Sequence, residues 1–408
     1  MANINKIYIL PMYDNKDYLC DYAYQTAKTL GKRDIVIIPY YSVPITIFTL
    51  LKNISRLKRL ILEWISIIQS ENPGIYECEF ISFIPLQRFW YVFILNRRLT
   101  WLQLAFLLWV KKILYKDKNT IVLWNLHPTL EFYVNKLGET ISLYDCVDYY
   151  ETWPIKEKST IKAEESLINK VNLVFANSKK LASRINDKRN AKVVPCGCAI
   201  DEFPNNFTSK KNLQIKIKKP LVGFFGYIDY RINYDLMRYL VANNKNIQFI
   251  FIGKILTDLG RNNINLNINV STGIRNLKKY HNFYLLSSVP KKDLKYFLYH
   301  FDITIIPYSI KHKFVYYSNP MKFYEYLAMG VPVVSTPIPS LLIYKLPTIR
   351  FGKTKEEFND NIKYLLEHPY LKQEYKMQMR KIAEDNSWEK KVGEIQKCIN
   401  EEIRNSKS

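Results

Sequence analysis

Lys322 and Glu325 stand three residues apart in the segment Ser318–Ser335, SNPMKFYEYLAMGVPVVS. That spacing puts both side chains on one face of a helix. Pro320 suits the first helical position and Gly330 the end, and the valine-rich run that follows reads as a buried strand. Backbone N–H groups at a helix start favour an anion such as phosphate. A carboxylate on that face can accept two hydrogen bonds from a ribose diol, while the lysine meets the phosphate. An ordinary solvated Lys–Glu pair has the same spacing, so spacing alone does not choose.

Two more groups sit where strands should end. Trp124-Asn125-Leu126-His127-Pro128 follows one apolar run, and Tyr144-Asp145-Cys146-Val147-Asp148 closes the next. Open parallel sheets bind ligands beyond the carboxyl ends of their strands. A carboxylate there can take a proton from a hydroxyl. Asp145 can instead cap the following turn, and His127 can be a packed histidine before Pro128.

The elements that must position these groups alternate along the chain. Lys6–Met12, Asp34–Tyr41, Ile75–Ile84, Thr120–Leu126, Thr140–Cys146, Asn172–Ala176 and Lys192–Pro195 read as strands, with helices between them. Asp17–Lys32 reads as a helix with a glycine stop. Ala199–Lys219 is polar, lysine-rich and weakly periodic, as a linker would be. The alternation then restarts with Pro220–Phe225, Ile247–Ile252, Phe283–Leu286, Ile303–Pro307 and Val331–Ser335, and from Thr354 the tail is helical. Strands alternating with helices imply parallel sheets covered on both faces.

The Ser318–Ser335 segment resembles the donor-site helix of GT-B glycosyltransferases, specifically the family 4-like (group 1) enzymes of bacterial surface-polysaccharide biosynthesis. The family pattern P-x-K-x-x-E-Y-L-A-x-G-x-P-V-V is matched at every fixed residue from Pro320 to Val334. Leu173–Leu181 (LVFANSKKL), Val193–Phe203 (VVPCGCAIDEF), Gly223–Arg231 (GFFGYIDYR), Ile247–Gly253 (IQFIFIG), Phe301–Tyr308 (FDITIIPY) and Ser387-Trp388-Glu389 extend the resemblance in family order. It implies an α/β fold of GT-B type: two Rossmann-like domains facing each other across a central cleft. Residues 1–200 would bind the acceptor and 201–387 the donor, with a C-terminal helix, about 388–408, crossing back to the first domain.

The resemblance also assigns roles. Glu325 would hold the nucleotide ribose, and Ser318, Asn319 and Lys322 would line the diphosphate. Gly226 would let the backbone pass close to the donor, and Arg231 would neutralise the leaving diphosphate. Tyr308, at the end of its strand, would join the donor site. Asp148 best matches the general base of the inverting relatives, with His127 as a second candidate. The implied reaction moves a sugar from a nucleotide-sugar, UDP- or GDP-linked, to a saccharide or lipid-linked acceptor. No cofactor is implied. Metal-dependent GT-A enzymes hold a divalent ion with an Asp-x-Asp triplet, and the chain has none.

One position departs from the family. Many retaining members carry a second Glu eight residues before the ribose-binding one, where this chain has Tyr317. The inverting, xanthan-type glucuronosyltransferases also lack that acidic pair, so both stereochemical outcomes stay open. A catalytically inactive relative acting as a binding subunit is the alternative reading.

Composition sets the remaining bounds. The 408 residues carry 60 Lys+Arg against 37 Asp+Glu, a formal charge of +23. Lys52, Arg56, Lys58 and Arg59 precede the apolar run Leu60–Ile68; Arg97, Arg98, Lys111, Lys112, Lys116 and Lys118 bracket Leu99–Val110, which carries Trp101 and Trp109. Basic ends around a Trp-bearing apolar helix suit an anionic membrane surface. The apolar run is well short of the roughly 20 residues that span a bilayer, and no signal peptide is visible. These features imply a cytoplasmic protein, peripheral on the inner face of the plasma membrane. A surplus of positive charge also suits nucleic acid, but no zinc finger, RNP-type strand or recognition helix is present, and no nucleic-acid partner is expected. The six cysteines are scattered, implying a reduced compartment, and Cys196-Gly197-Cys198 reads as a turn rather than a metal site.

Overall fold

The computed structural model describes residues 6–12, 21–40, 45–46, 54–82, 90–114, 119–152, 158–186, 189–204, 207, 218–257 and 264–406. Lys52, Lys116, Lys118, Cys20 and most of the expected linker lie outside them.

The apolar runs of the first half become parallel strands: β1 (Lys6–Ile9), β2 (Ile35–Pro39), β4 (Gly74–Cys78), β6 (Thr120–Asn125), β7 (Ile141–Cys146), β8 (Leu173–Ala176) and β9 (Lys192–Val193). They form one seven-stranded sheet in the order β4-β2-β1-β6-β7-β8-β9. The expected strand Ile75–Ile84 is divided between β4 and the short β5 (Ile81–Ser82), which pairs with β3 (Ile45–Thr46) away from the main sheet. The central strands are buried without alternation, as a sheet covered on both faces requires. Ile7, Ile9, Ile37 and Leu123 pack on one face with Leu104, Leu107 and Leu167. Tyr8, Val36, Val122 and Trp124 pack on the other with Tyr22 and Ala27 of the helix Asp21–Leu30.

The second half repeats the plan. Strands β10 (Leu221–Phe225), β11 (Gln248–Ile252), β12 (Phe283–Leu286), β13 (Ile303–Ile306), β14 (Val333–Ser335) and β15 (Ile349–Phe351) form a parallel sheet in the order β12-β11-β10-β13-β14-β15. The order reverses between β10 and β13, and between β1 and β6 in the first sheet. Such switch points open a crevice at the carboxyl ends of the strands. The fold is therefore α/β with two Rossmann-like halves, as the sequence implies.

The C-terminal helix Trp388–Asn405 returns to the first half. Ser387 and Cys198 form an isolated parallel β-bridge, Trp388 meets the Tyr22 ring edge-on at 4.9 Å, and Gln396 Nε2 donates to the Tyr8 hydroxyl (3.0 Å) and Asp34 (3.1 Å). Lys391 Nζ lies 3.5 Å from Asp145 Oδ1, and the Tyr22 hydroxyl donates to the same carboxylate. Asp145 is thus no turn cap. It is fully buried, and its charge is balanced by a lysine from the far end of the chain.

Candidate functional site

The two halves enclose a cavity of about 840 Å³ at the carboxyl ends of both sheets. Its second-half wall begins where β10 ends. Gly226 turns there with φ +123°, and a Cβ would lie 2.5 Å from the Lys322 ammonium. Gly253, after β11, approaches so closely that a Cβ would sit 1.9 Å from the Gly226 carbonyl oxygen. Only glycine fits at either turn.

The helix Met321–Ala328 starts against this wall, and Lys322 and Glu325 both line the cavity. Lys322 Nζ donates to the Tyr308 hydroxyl at 2.6 Å and rests 4.1 Å from the centre of the Phe224 ring. Burial, then repulsion from Arg231, holds this ammonium well below the usual lysine range. A diphosphate at the same place would favour the charged form again. Glu325 is buried, with Oε1 2.8 Å from Lys291 Nζ. Sequence reasoning missed Lys291. It follows the end of β12, and a lysine beyond a strand's carboxyl end was the signal available.

Arg231 lines the cavity but is not a free phosphate contact. Its Nε lies 2.9 Å from both carboxylate oxygens of Asp229, and Nη2 donates to Oδ2 at 2.6 Å. Asp229 was also missed, although Asp-Tyr-Arg spacing is written in the sequence. The Tyr308 and Phe314 ring centres lie 5.3 and 5.7 Å from the guanidinium.

Ser318 and Asn319 line the cavity too, yet their donors face protein. Ser318 Oγ donates to the Val315 carbonyl (2.8 Å), and Asn319 Nδ2 donates across the cleft to the Asn177 carbonyl (2.8 Å). Ser178 Oγ likewise donates to the Tyr317 carbonyl at 2.6 Å, and the Tyr317 ring meets Tyr149 edge-on at 4.7 Å. The loop before the helix is therefore strapped to the end of β8. Where many retaining relatives would carry an acid, Tyr317 forms a domain contact.

From the first half, Tyr22, Asp148 and Asn177 reach the same cavity. Burial pushes the Asp148 carboxyl up to about 6, and the Arg231 charge works against that rise. A base near that value is ionised at neutral pH yet basic enough to take a proton. His127 is not brought to this group. It caps the short helical turn Pro128–Tyr133, where Nδ1 accepts from the Thr129 N–H at 3.3 Å. Its ring meets Tyr150 edge-on, and burial lowers its pKa to about 4, so it is neutral at pH 7. Four basic side chains (Arg231, Lys254, Lys291, Lys322) line the cavity against two acids, Asp148 and Glu325. That surplus suits a polyanion such as a diphosphate.

Comparison with known proteins agrees with this fold. A family model described as glycosyl transferase-like matches residues 236–397. No curated protein matches significantly in sequence. Among solved structures, HepE from Anabaena in complex with UDP and glucose is similar over 97% of this chain and 100% of its own, with a TM-score of 0.66 at 11% identity. Sucrose-phosphate synthase from Thermosynechococcus elongatus is similar over 97% and 99%, with a TM-score of 0.68 at 11% identity. A glycosyltransferase from Rickettsia africae covers 98% and 99%, with a TM-score of 0.63 at 14% identity. Likeness at such identities establishes the fold: GT-B.

Proposed function

We propose that the chain is a glycosyltransferase that moves a sugar from a nucleotide-sugar donor to a saccharide or lipid-linked acceptor. The observation that carries this reading is the buried Glu325 beside Lys322, at a helix start facing the ionisable Asp148 across the cleft. The HepE structure, which holds UDP and glucose, supports a nucleotide donor for a cleft of this form. Glu325 would accept the ribose hydroxyls. Lys322, Arg231 and the Met321 helix start would face the diphosphate, whose charge grows as its bond to the sugar breaks. Asp148 would take the proton from the attacking acceptor hydroxyl as the new glycosidic bond forms. Protein charges neutralise the leaving group in this scheme, which makes the transfer metal-independent, and UDP or GDP leaves.

On this reading the acceptor is a lipid-linked substrate at an anionic membrane, in surface-polysaccharide synthesis on the inner face, and an exposed apolar stripe with basic neighbours supports the membrane contact. The helix Trp90–Leu114 exposes Leu95, Leu102, Phe106, Trp109 and Ile113, which recur at helical spacing as one stripe. Arg98 and Lys112 are exposed beside it. On the neighbouring helix Ile54–Ile68, Ile54, Ile61 and Ile65 are exposed with Lys58 among them. No helix among the described residues is long and apolar enough to cross a membrane.

The test is turnover. UDP- and GDP-sugars are screened by thermal shift, and those that stabilise the protein are assayed for release of the free nucleotide diphosphate, alone and with lipid-linked or saccharide acceptors. Binding that leads to release supports the enzyme. Binding without release under every acceptor condition would identify a binding subunit instead.

A further inference from the structure

We propose that Lys291 is a positioning residue of the nucleotide site: it holds the Glu325 carboxylate turned toward the ribose, so that preference for ribose over deoxyribose depends on it. The inference rests on the nucleotide reading above. Lys291 and Glu325 come from opposite flanks of the β10 switch point, one after β12 and the other in the helix after β13. Their 2.8 Å ion pair is largely enclosed, with side chains 23% and 6% exposed.

An ionised carboxylate offers about four lone-pair positions. The Lys291 bond to Oε1 uses one, and a vicinal diol would take two more. The bond also fixes the rotation of the carboxylate, which otherwise turns freely about its last torsion. Removing the cation leaves a buried carboxylate that must reorient toward another donor or take up a proton. Either change weakens its bond to a ribose hydroxyl. Lys322 cannot substitute, although it lies on the same helix face. Its ammonium is turned to the Tyr308 hydroxyl and the Phe224 ring. The two lysines thus divide the site: Lys322 stands on the phosphate side and Lys291 on the sugar side of the nucleoside. Lys292 is exposed and absent from the cavity wall, which makes it the matched control.

Calorimetry on the full chain with UDP and 2′-deoxy-UDP, or GDP and 2′-deoxy-GDP if guanine binds tighter, tests the proposal. The parent should favour the ribonucleotide. Lys291→Met should lose roughly 10-fold or more in ribonucleotide affinity while the deoxynucleotide changes by less than about 3-fold, so that the preference collapses. Lys291→Arg should keep most of the preference, and Lys292→Met all of it. In a Glu325→Gln background, Lys291→Met should have little further effect. If Lys291→Met does not fold, Lys291→Gln serves the same comparison. An equal loss for both nucleotides would place Lys291 on the phosphate or base and overturn the proposal. So would an unchanged preference. If the parent binds neither nucleotide, the donor-site reading itself fails, and this proposal with it.

Discussion

At the scale of single residues, the proposed function gives binding and chemistry to different side chains of the cleft, Glu325 and Asp148. Glu325→Ala removes a buried, ion-paired carboxylate while leaving the sheet behind it intact. Loss of a charge-assisted bond to a neutral ribose should cost about 1.5–3 kcal/mol, roughly 10- to 150-fold in nucleotide affinity. Calorimetric binding equal to the parent would show that the ribose lies elsewhere. Asp148→Asn should behave differently. Turnover should drop by about 10²–10⁴-fold with donor affinity nearly unchanged, because the shape is kept and the basicity removed. The sign of the pH dependence follows from the raised carboxyl: a base is active only when ionised, so the parent's kcat/KM should fall as pH drops through about 6. A profile flat through that range would take Asp148 out of the proton transfer.

At the scale of elements, the Trp90–Leu114 helix shows how charge in a sequence misleads. Six basic residues bracket its apolar run, but not all of them face solvent. Arg97 is bound to Glu131 at 3.1 Å and lies over the Phe132 ring, while Lys111 is 2% exposed and donates to the Ser70 carbonyl. Trp101 is turned partly inward, and Trp109 is 58% exposed. The exposed set that would meet a membrane on the proposed reading is therefore Arg98, Lys112, Phe106 and Trp109. Replacing Arg98 and Lys112 by Gln should remove about 2 kcal/mol of attraction to anionic vesicles at low salt, roughly 30-fold in affinity. Phe106→Ser with Trp109→Ser should weaken binding at high salt as well, since the apolar contribution is not screened. Donor affinity should stay at the parent's level in both. Co-sedimentation that is equal on anionic and neutral lipid, or absent from both, would leave the stripe without a bilayer. Concentration-dependent dimers abolished by the serine changes would give it to a second copy of the chain.

At the scale of the whole molecule, the C-terminal helix ties into the first-half sheet. Asp145 and Lys391 are both almost fully buried, and Tyr22 completes the cluster. Lys391→Met leaves an uncompensated charge under β7 and should destabilise the protein by about 3–5 kcal/mol. The double change Lys391→Met with Asp145→Asn should recover part of that loss, because no bare charge remains. Thermal melting of the parent, the single and the double variants measures both effects. A single variant melting with the parent would mean that the C-terminal helix is held by its apolar face alone.

Much of this was legible in the chain itself. Unbroken β-branched runs specified buried parallel strands, because a strand covered on both faces has no polar side to show. The Pro320, Lys322, Glu325 and Gly330 spacing specified a helix with its acid and base on one face, and both residues do line the cleft. The resemblance marked Gly226 as a point where backbone passes close to a ligand, and the structure places a positive-φ turn there. What tertiary structure alone decided is partnership. Local periodicity says which side chains share a face, but not which groups arrive from elsewhere to meet them. So Lys291 on Glu325, Lys391 under Asp145 and the inward turn of Arg97 and Lys111 became visible only once the sheets had brought distant segments together. A charge is a functional group or a structural one according to the partner it meets, and that partner is chosen by packing across the whole chain.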